Sequence, residues 1–240
     1  MNEPVRLNKY IAHTTGMSRR EADEAIASGR VVVNNHPASL GAIIQPGRDH
    51  VTVAGQDIVK KPKQYTYLLL NKPVGYVCSR KKQGETPTIY DLLPRGYHQL
   101  KVAGRLDKDS CGLLLLTDDG DTIFQLTHPK FAKKKVYHVG LNKPLKAVDR
   151  RMIEDGIELE DGISSFQISD IRRQTSDSKK PNRYKVTMHE GRNRQIRRTF
   201  KTLGYTVTHL ERREIGPYNL TDLGNKSLLP VRNKYVKITT

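Results

Sequence analysis

The sequence predicts an α+β protein of two domains, and three observations carry that prediction. A chain of 240 residues has room for a small module joined to a domain of ordinary size. Short strand-like apolar runs are interspersed with helical periodicity. A charged, proline-bearing stretch near residue 60 separates a nearly neutral segment from a strongly basic one. The boundaries expected are a first domain over 1–60, a linker over 61–64 and a second domain over 65–240.

The first domain reads as two helices and a small sheet. Leu7, Tyr10 and Ile11 recur at helical spacing with Arg6 and Lys9 displaced to another face, and Gly16 ends the helix. Ser18-Arg19-Arg20-Glu21 has the form of a capping box, in which the Ser and Glu side chains satisfy free amides at a helix start. Ala22, Ala25 and Ile26 supply the apolar stripe and Gly29 stops it. Val31-Val32-Val33 runs into the turn Asn34-Asn35, and Val51-Thr52-Val53 follows the turn Pro46-Gly47, so both read as strands.

Lys60-Lys61-Pro62-Lys63-Gln64 lacks apolar periodicity and reads as an exposed hinge. Beyond it, residues 67–70 and 112–117 are continuous apolar runs bounded by turn signals, which suits strands buried on both faces near the middle of a mixed sheet. Asp118 is the expected cap of a helix through Leu126 that Pro129 ends. Residues 136–139 and 184–188 alternate as strands do, and the Ser/Lys-rich residues 175–182 read as a surface loop. After Gly191 the chain leaves a strand and starts a helix, with Ile196, Phe200 and Leu203 on one face.

The formal charge of +17 points to a polyanionic partner. Residues 1–60 hold 7 Lys+Arg against 6 Asp+Glu, whereas 61–240 hold 35 against 19, so the excess lies in the second segment. No apolar run approaches the roughly 18–20 residues of a spanning helix, and no signal-peptide core precedes Thr15, so no membrane partner is expected. Two cysteines, Cys78 and Cys111, are too few for a disulfide framework or a paired-cysteine zinc site; they fit a reducing cytoplasm. Phosphate-loop, dinucleotide-turn and metalloprotease motifs are missing, and the eight histidines are scattered, so neither metal nor cofactor is expected.

Asp107, in Gly104-Arg105-Leu106-Asp107, stands where a loop feeds into the apolar run at 112–117. Alone, an Asp there is usually a turn former. Its company is Gly191-Arg192-Asn193-Arg194-Gln195-Ile196-Arg197-Arg198. On that helix Arg194, Arg198 and Lys201 project away from the apolar face toward solvent. Arg197 lies on the flank, placed to meet an acid inside a pocket. A guanidinium there would keep Asp107 ionised against the pull of desolvation. Tyr137, after three lysines, offers a ring for stacking a base, with cross-strand packing as the equally weighted alternative.

Four motifs in order, Asn71-Lys72-Pro73-Val74-Gly75, Gly104 to Asp107, Lys135-Val136-Tyr137 and Gly191 to Arg198, resemble the RsuA-type bacterial rRNA pseudouridine synthases. The first 60 residues resemble an S4 RNA-binding domain on the three runs 7–11, 18–22 and 29–31. The resemblance implies a mixed, mainly antiparallel sheet crossed by a central cleft, and site-specific, cofactor-independent conversion of uridine to pseudouridine with base flipping. It makes Asp107 the catalytic aspartate, Tyr137 the stacking residue and Arg197 the partner of the aspartate, with Arg105 holding the gap left by the flipped nucleotide. Arg6, Lys9, Arg19 and Arg20 of the first domain and Arg192, Arg194 and Arg198 of the second are the expected RNA contacts. The RNA is expected to be ribosomal, with tRNA still open, and the chain a monomer. Two other classes compete: a non-enzymatic RNA-binding or ribosome-assembly factor, and a DNA-binding protein, against which the lack of a recognition helix or basic zipper speaks.

Overall fold

The computed structural model describes residues 3–59, 64–81, 83–171 and 182–234. The chain forms two compact units, Met1–Gln64 and Tyr65–Thr240. Residues 60–63 of the expected hinge and most of the expected surface loop at 175–182 lie outside the described residues.

In the first unit β1 (Val5–Arg6) leads into α1 (Leu7–Thr15), which Gly16 ends in the left-handed conformation. Ser18 accepts from the Glu21 amide while Glu21 accepts from the Ser18 amide, so the capping box forms and α2 (Arg19–Ala27) starts where the sequence places it. β2 (Val31–Val33), β3 (His36–Pro37), β5 (Val51–Val53) and β6 (Gln56–Asp57) make an antiparallel sheet, and β4 (Ile43–Ile44) pairs with β1. Leu7, Ile11, Ala22, Ala25 and Val31 are fully buried between helices and sheet. Each of the larger ones contributes roughly 1.5–3 kcal/mol of apolar burial.

The second unit is built on a nine-stranded sheet. Its strands are β7 (Tyr67–Lys72), β8 (Lys101–Val102), β9 (Cys111–Thr117), β10 (Lys135–Leu141), β13 (Gln167–Asp170), β14 (Arg183–Met188), β15 (Val207–Ile215), β16 (Tyr218–Asn219) and β17 (Leu228–Val231). The long path runs β13-β14-β10-β15-β9-β7-β17, and among the described residues the pairing of β15 with β9 is the parallel one in an otherwise antiparallel sheet. Helices α3 (Gly120–Thr127), α4 (Ala147–Asp155) and α5 (Gln195–Thr202) accompany it, with a small hairpin of β11 (Ile157–Leu159) and β12 (Gly162–Ser164).

The apolar runs of β7 and β9 are buried on both faces. Leu68, Leu70, Leu114 and Leu116 enter one core, and Tyr67, Leu69, Leu113 and Leu115 enter the other. Alternation of side chains across a strand explains the division.

Three differences from the sequence reading have physical causes. The cap of α3 is Asp119, which accepts from the Asp121 and Thr122 amides; Asp118 instead accepts from the Thr66 amide. β15 is not visible as a strand because its Thr, His, Glu and Arg residues mask the alternation. α4 carries the exposed apolar residues Val148 and Met152 and buries only Ile153, so its stripe is too weak to read.

Candidate active site

The face of the sheet formed by β14, β10 and β15 floors a cleft of about 250 Å³. Tyr137 and Lys135 from β10, Met188 from β14, and Leu210 and Arg212 from β15 line it. Its walls are the loop Gly104-Arg105-Leu106-Asp107 and the segment Gly191 to Ile196 that opens α5. The sheet thus brings the Asp107 loop and the arginine-rich helix start to the two sides of one cavity.

The Asp107 loop is pinned at several points. Leu106 is buried and its amide donates to Cys78 Sγ at 3.4 Å, while the Gly75 amide donates to Lys108 O at 2.7 Å. The Ser110 amide closes a turn onto Asp107 O at 3.1 Å. Lys72, fully buried, donates its ammonium to Ser110 O at 2.6 Å and Pro73 O at 3.0 Å. Burial pulls its pKa below the usual lysine value, opposed by the surrounding cysteines and carboxylates.

Asp107 Oδ2 lies 3.6 Å from Arg194 Nη1. Arg194 makes a two-pronged contact with Asp109, at 3.1 and 2.9 Å, from a left-handed backbone conformation at the N-cap of α5. Arg197, expected on Asp107, pairs with Asp109 instead. Its Nε faces Asp109 Oδ2 at 3.3 Å without hydrogen-bond geometry, and its Nη2 donates to Asp109 O at 2.8 Å and Ser110 Oγ at 3.3 Å. Its Nη1 donates to Val207 O at 3.0 Å. The start of α5 points its two arginines at the turn that follows Asp107, so Arg194 is the cation nearest the carboxylate and Arg197 staples the turn beneath it. Burial raises the Asp109 carboxyl, but the hydrogen bond from Arg194 and the charges of Arg197 and Arg194 leave it below its usual value.

Tyr137 is 7% exposed and sits opposite Arg212 across the β10–β15 ladder, both on the cleft face. Arg105 is exposed at the rim. Arg192 and Arg198 are engaged within the protein. Arg192 donates to Asp161 O, Asp161 Oδ1, Gly162 O and Ile163 O at 2.7–2.9 Å, and Arg198 forks onto Asp161 at 2.9 and 2.6 Å. Asp161 and the hairpin therefore take the donors that the sequence reading assigns to RNA. In the first unit Arg6, Arg19 and Arg20 are exposed and Lys9 is half-buried; Arg19 also donates to Asn8 Oδ1 at 3.1 Å, which links α2 to α1.

Sequence reasoning misses Lys72, Asp109, Lys135 and Arg212. Lys72 and Lys135 stand inside two of the quoted motifs, and their chemistry is legible only once burial is known. Arg212 carries no signal, lying in a strand of mixed charges. No group of three or more His, Cys, Asp or Glu residues among the described residues could hold a metal. No helix of the described residues is long and apolar enough to cross a membrane.

Comparison with known proteins places this geometry. The family model described as RNA pseudouridylate synthase matches residues 66–202, and the S4 domain model matches residues 5–50. The chain is 35% identical over 224 residues to the ribosomal large subunit pseudouridine synthase B of Bacillus subtilis, covering 91% of this chain and 88% of that protein. It is 32% identical over 220 residues to the ribosomal small subunit pseudouridine synthase A of Yersinia pestis, covering 91% and 90%. A solved pseudouridylate synthase superposes with a TM-score of 0.64 at 29% identity over 95% of this chain and 96% of that one. With its sheet, its cleft and the ordered motifs on its walls, the chain belongs to the RNA pseudouridylate synthase family and carries an S4 domain ahead of the catalytic unit.

Proposed function

We propose that the protein isomerises one or more specific uridines of structured ribosomal RNA to pseudouridine, acting as a monomer in the cytoplasm with Asp107 as its catalytic carboxylate. The observation that carries this reading is the position of Asp107 on a pinned loop at the wall of a base-sized cleft, with Arg194 beside it and Tyr137 on the floor. The ribosomal assignment draws on the printed substrates of the relatives from Bacillus subtilis and Yersinia pestis.

In the reaction the C1′–N1 bond breaks, the uracil turns within the cleft and C5 joins C1′; the C5 proton leaves and N1 takes one up. Atoms balance within the nucleotide and water, so no cofactor is required. Because the cleft floor is buried, the target base has to leave its helix to reach it. Tyr137 then provides the stacking surface, a contact worth roughly 1–3 kcal/mol. Arg105 at the rim supports the RNA from which the base departs. The exposed Arg6, Arg19 and Arg20, with Lys9, Arg192, Arg194 and Arg198, supply positive charge to the phosphates, although Arg192 and Arg198 must share themselves with Asp161.

The deciding experiment incubates the protein with RNA labelled with tritium at uridine C5, taken from cells lacking this gene. Wild-type protein is expected to release tritium, and Asp107→Asn to release none above background while its RNA affinity stays within about threefold, since a transition-state interaction is removed. Turnover by Asp107→Asn at more than a tenth of the wild-type rate would refute the assignment of Asp107.

A further inference from the structure

Two buried cations share the floor of the cleft, and neither has a carboxylate within ion-pair distance among the described residues. Lys135 is 8% exposed and Arg212 is 2% exposed, and both line the cavity. The ammonium of Lys135 has one hydrogen bond, to Lys133 O at 3.3 Å. Arg212 donates from Nε to Leu113 O at 2.8 Å, and its Nη2 is buried with no partner. Glu190, the acid that acts on Lys135 from a distance, is occupied by Gln195 and by Arg192. Burial, and then repulsion from Arg212, lower the Lys135 pKa. Buried charges in folded proteins are ordinarily paired, because desolvating a lone ion costs several kcal/mol. Two unpaired cations side by side are therefore a site built for a negative or strongly electron-rich ligand.

Two motif glycines lie at ordinary van der Waals distance from these cations. A Cβ on Gly104 would approach Arg212 Nη1 to 3.9 Å, and one on Gly191 would approach Cε and Cδ of Lys135 to 3.8 and 3.9 Å. The glycines that open the Asp107 loop and the arginine-rich segment thus lie against the two cationic side chains.

Within the isomerase reading, we infer that Lys135 and Arg212 bind the carbonyl oxygens of the uracil and receive the negative charge that develops on the ring as C1′–N1 breaks. The bonding pair passes to the uracil and spreads from N1 onto the carbonyl oxygens. After the ring turns, C5 of this anion gives a pair to C1′ to form the carbon–carbon bond, and when the C5 proton leaves, its bonding pair restores the ring while N1 takes up a proton. Phosphates stay with the RNA backbone, where the exposed Arg105 meets them. A flipped base stacked on Tyr137, by contrast, has its edge beside Arg212, its neighbour across the ladder. The cavity, about 250 Å³, lies below the roughly 300–1,000 Å³ of pockets for extended ligands and suits a single base. Fixed donors aimed at developing charge are worth about 10²–10³ in rate for each one removed.

The test compares two leaving groups. Single-turnover rates are measured for wild type, Lys135→Met, Lys135→Arg and Arg212→Lys on RNA carrying uridine and on the same RNA made with 5-fluorouridine. Conversion of uridine is read by chromatographic retention of the nucleoside in nuclease digests, because the two isomers share one mass. Conversion of 5-fluorouridine, whose C5 carries no proton to lose, is read by the gain of one water in mass. Fluorine stabilises the uracil anion by itself, so less help from the protein is needed. Lys135→Met is expected to lose on the order of 10²-fold on uridine RNA and at least tenfold less on 5-fluorouridine RNA, with RNA affinity within about threefold and partial recovery in Lys135→Arg. Should Lys135→Met not fold, Arg212→Lys is read by the same contrast. Equal losses on both RNAs, or no loss on either, would overturn the inference, because a merely structural role lowers both rates together. Wild type inactive on both RNAs would instead overturn the isomerase reading on which the inference rests.

Discussion

Asp109 shows how a side chain without chemistry of its own can organise a site. It receives Arg194 in a two-pronged contact and faces Arg197, so both arginines reach the Asp107 turn through it. Its folded pKa lies below the unfolded value of about 3.9, so its contribution to stability is present above that pH and is lost as pH falls through the lowered folded value. In urea titrations, Asp109→Asn is expected to be less stable than wild type at pH 6, with the difference shrinking as pH falls below about 3.9. A constant difference across that range would show that the pair contributes nothing through its charge. Arg197→Met removes three donors to Asp109 O, Ser110 Oγ and Val207 O. It is expected to cost about 1–3 kcal/mol of stability and to lower the rate of tritium release at least tenfold. Chemical denaturation together with the release assay checks both. That Asp107 and Tyr137 meet at one cleft was legible from ordered motifs, whereas the arginine that sits beside Asp107 was not: helical periodicity places Arg197 on a flank but says nothing of the turn it meets.

At the level of elements, the junction between β9 and β15 depends on one glycine. Gly112 has a φ of +103°, and a Cβ there would lie 2.4 Å from Arg212 O and 2.6 Å from Arg212 N. The contact is backbone against backbone, so neither side can yield without moving a strand. Gly112→Ala is expected to destabilise the catalytic unit by more than about 2 kcal/mol and to displace Arg212, lowering the rate with it. Thermal melting of the full chain checks the first part and the tritium assay the second. The capping box of α2 offers a milder case, since Ser18→Ala removes the acceptor for the Glu21 amide. A loss of about 1 kcal/mol is expected, read from denaturation monitored in the first unit. Helices with strong caps and strands with continuous leucine were readable because their signals are local. α4 and β15 were not, because what holds them is pairing and packing with residues far away in the chain.

For the molecule as a whole, charge governs association. If Arg6, Lys9, Arg19, Arg20 and Arg105 each neutralise one phosphate, RNA affinity is expected to fall on the order of 10²–10³-fold between 50 and 200 mM monovalent salt. Filter binding across that range checks it, and a nearly flat dependence would speak against an electrostatic footprint. The excess of positive charge, the two-part organisation, the principal strands and the meeting of Asp107 and Tyr137 at one cleft were all legible in the sequence itself, because charge, periodicity, caps and motif order are properties of neighbouring residues. The tertiary structure alone decided that Arg194 rather than Arg197 stands next to Asp107, that Asp161 holds Arg192 and Arg198, and that Lys135 and Arg212 are buried without counter-charge under the cleft. Those facts arise where the Asp107 loop, the β11–β12 hairpin, β10, β15 and the start of α5 converge, joining residues as far apart in the chain as Leu113 and Arg212, 99 positions, at distances that no local pattern encodes.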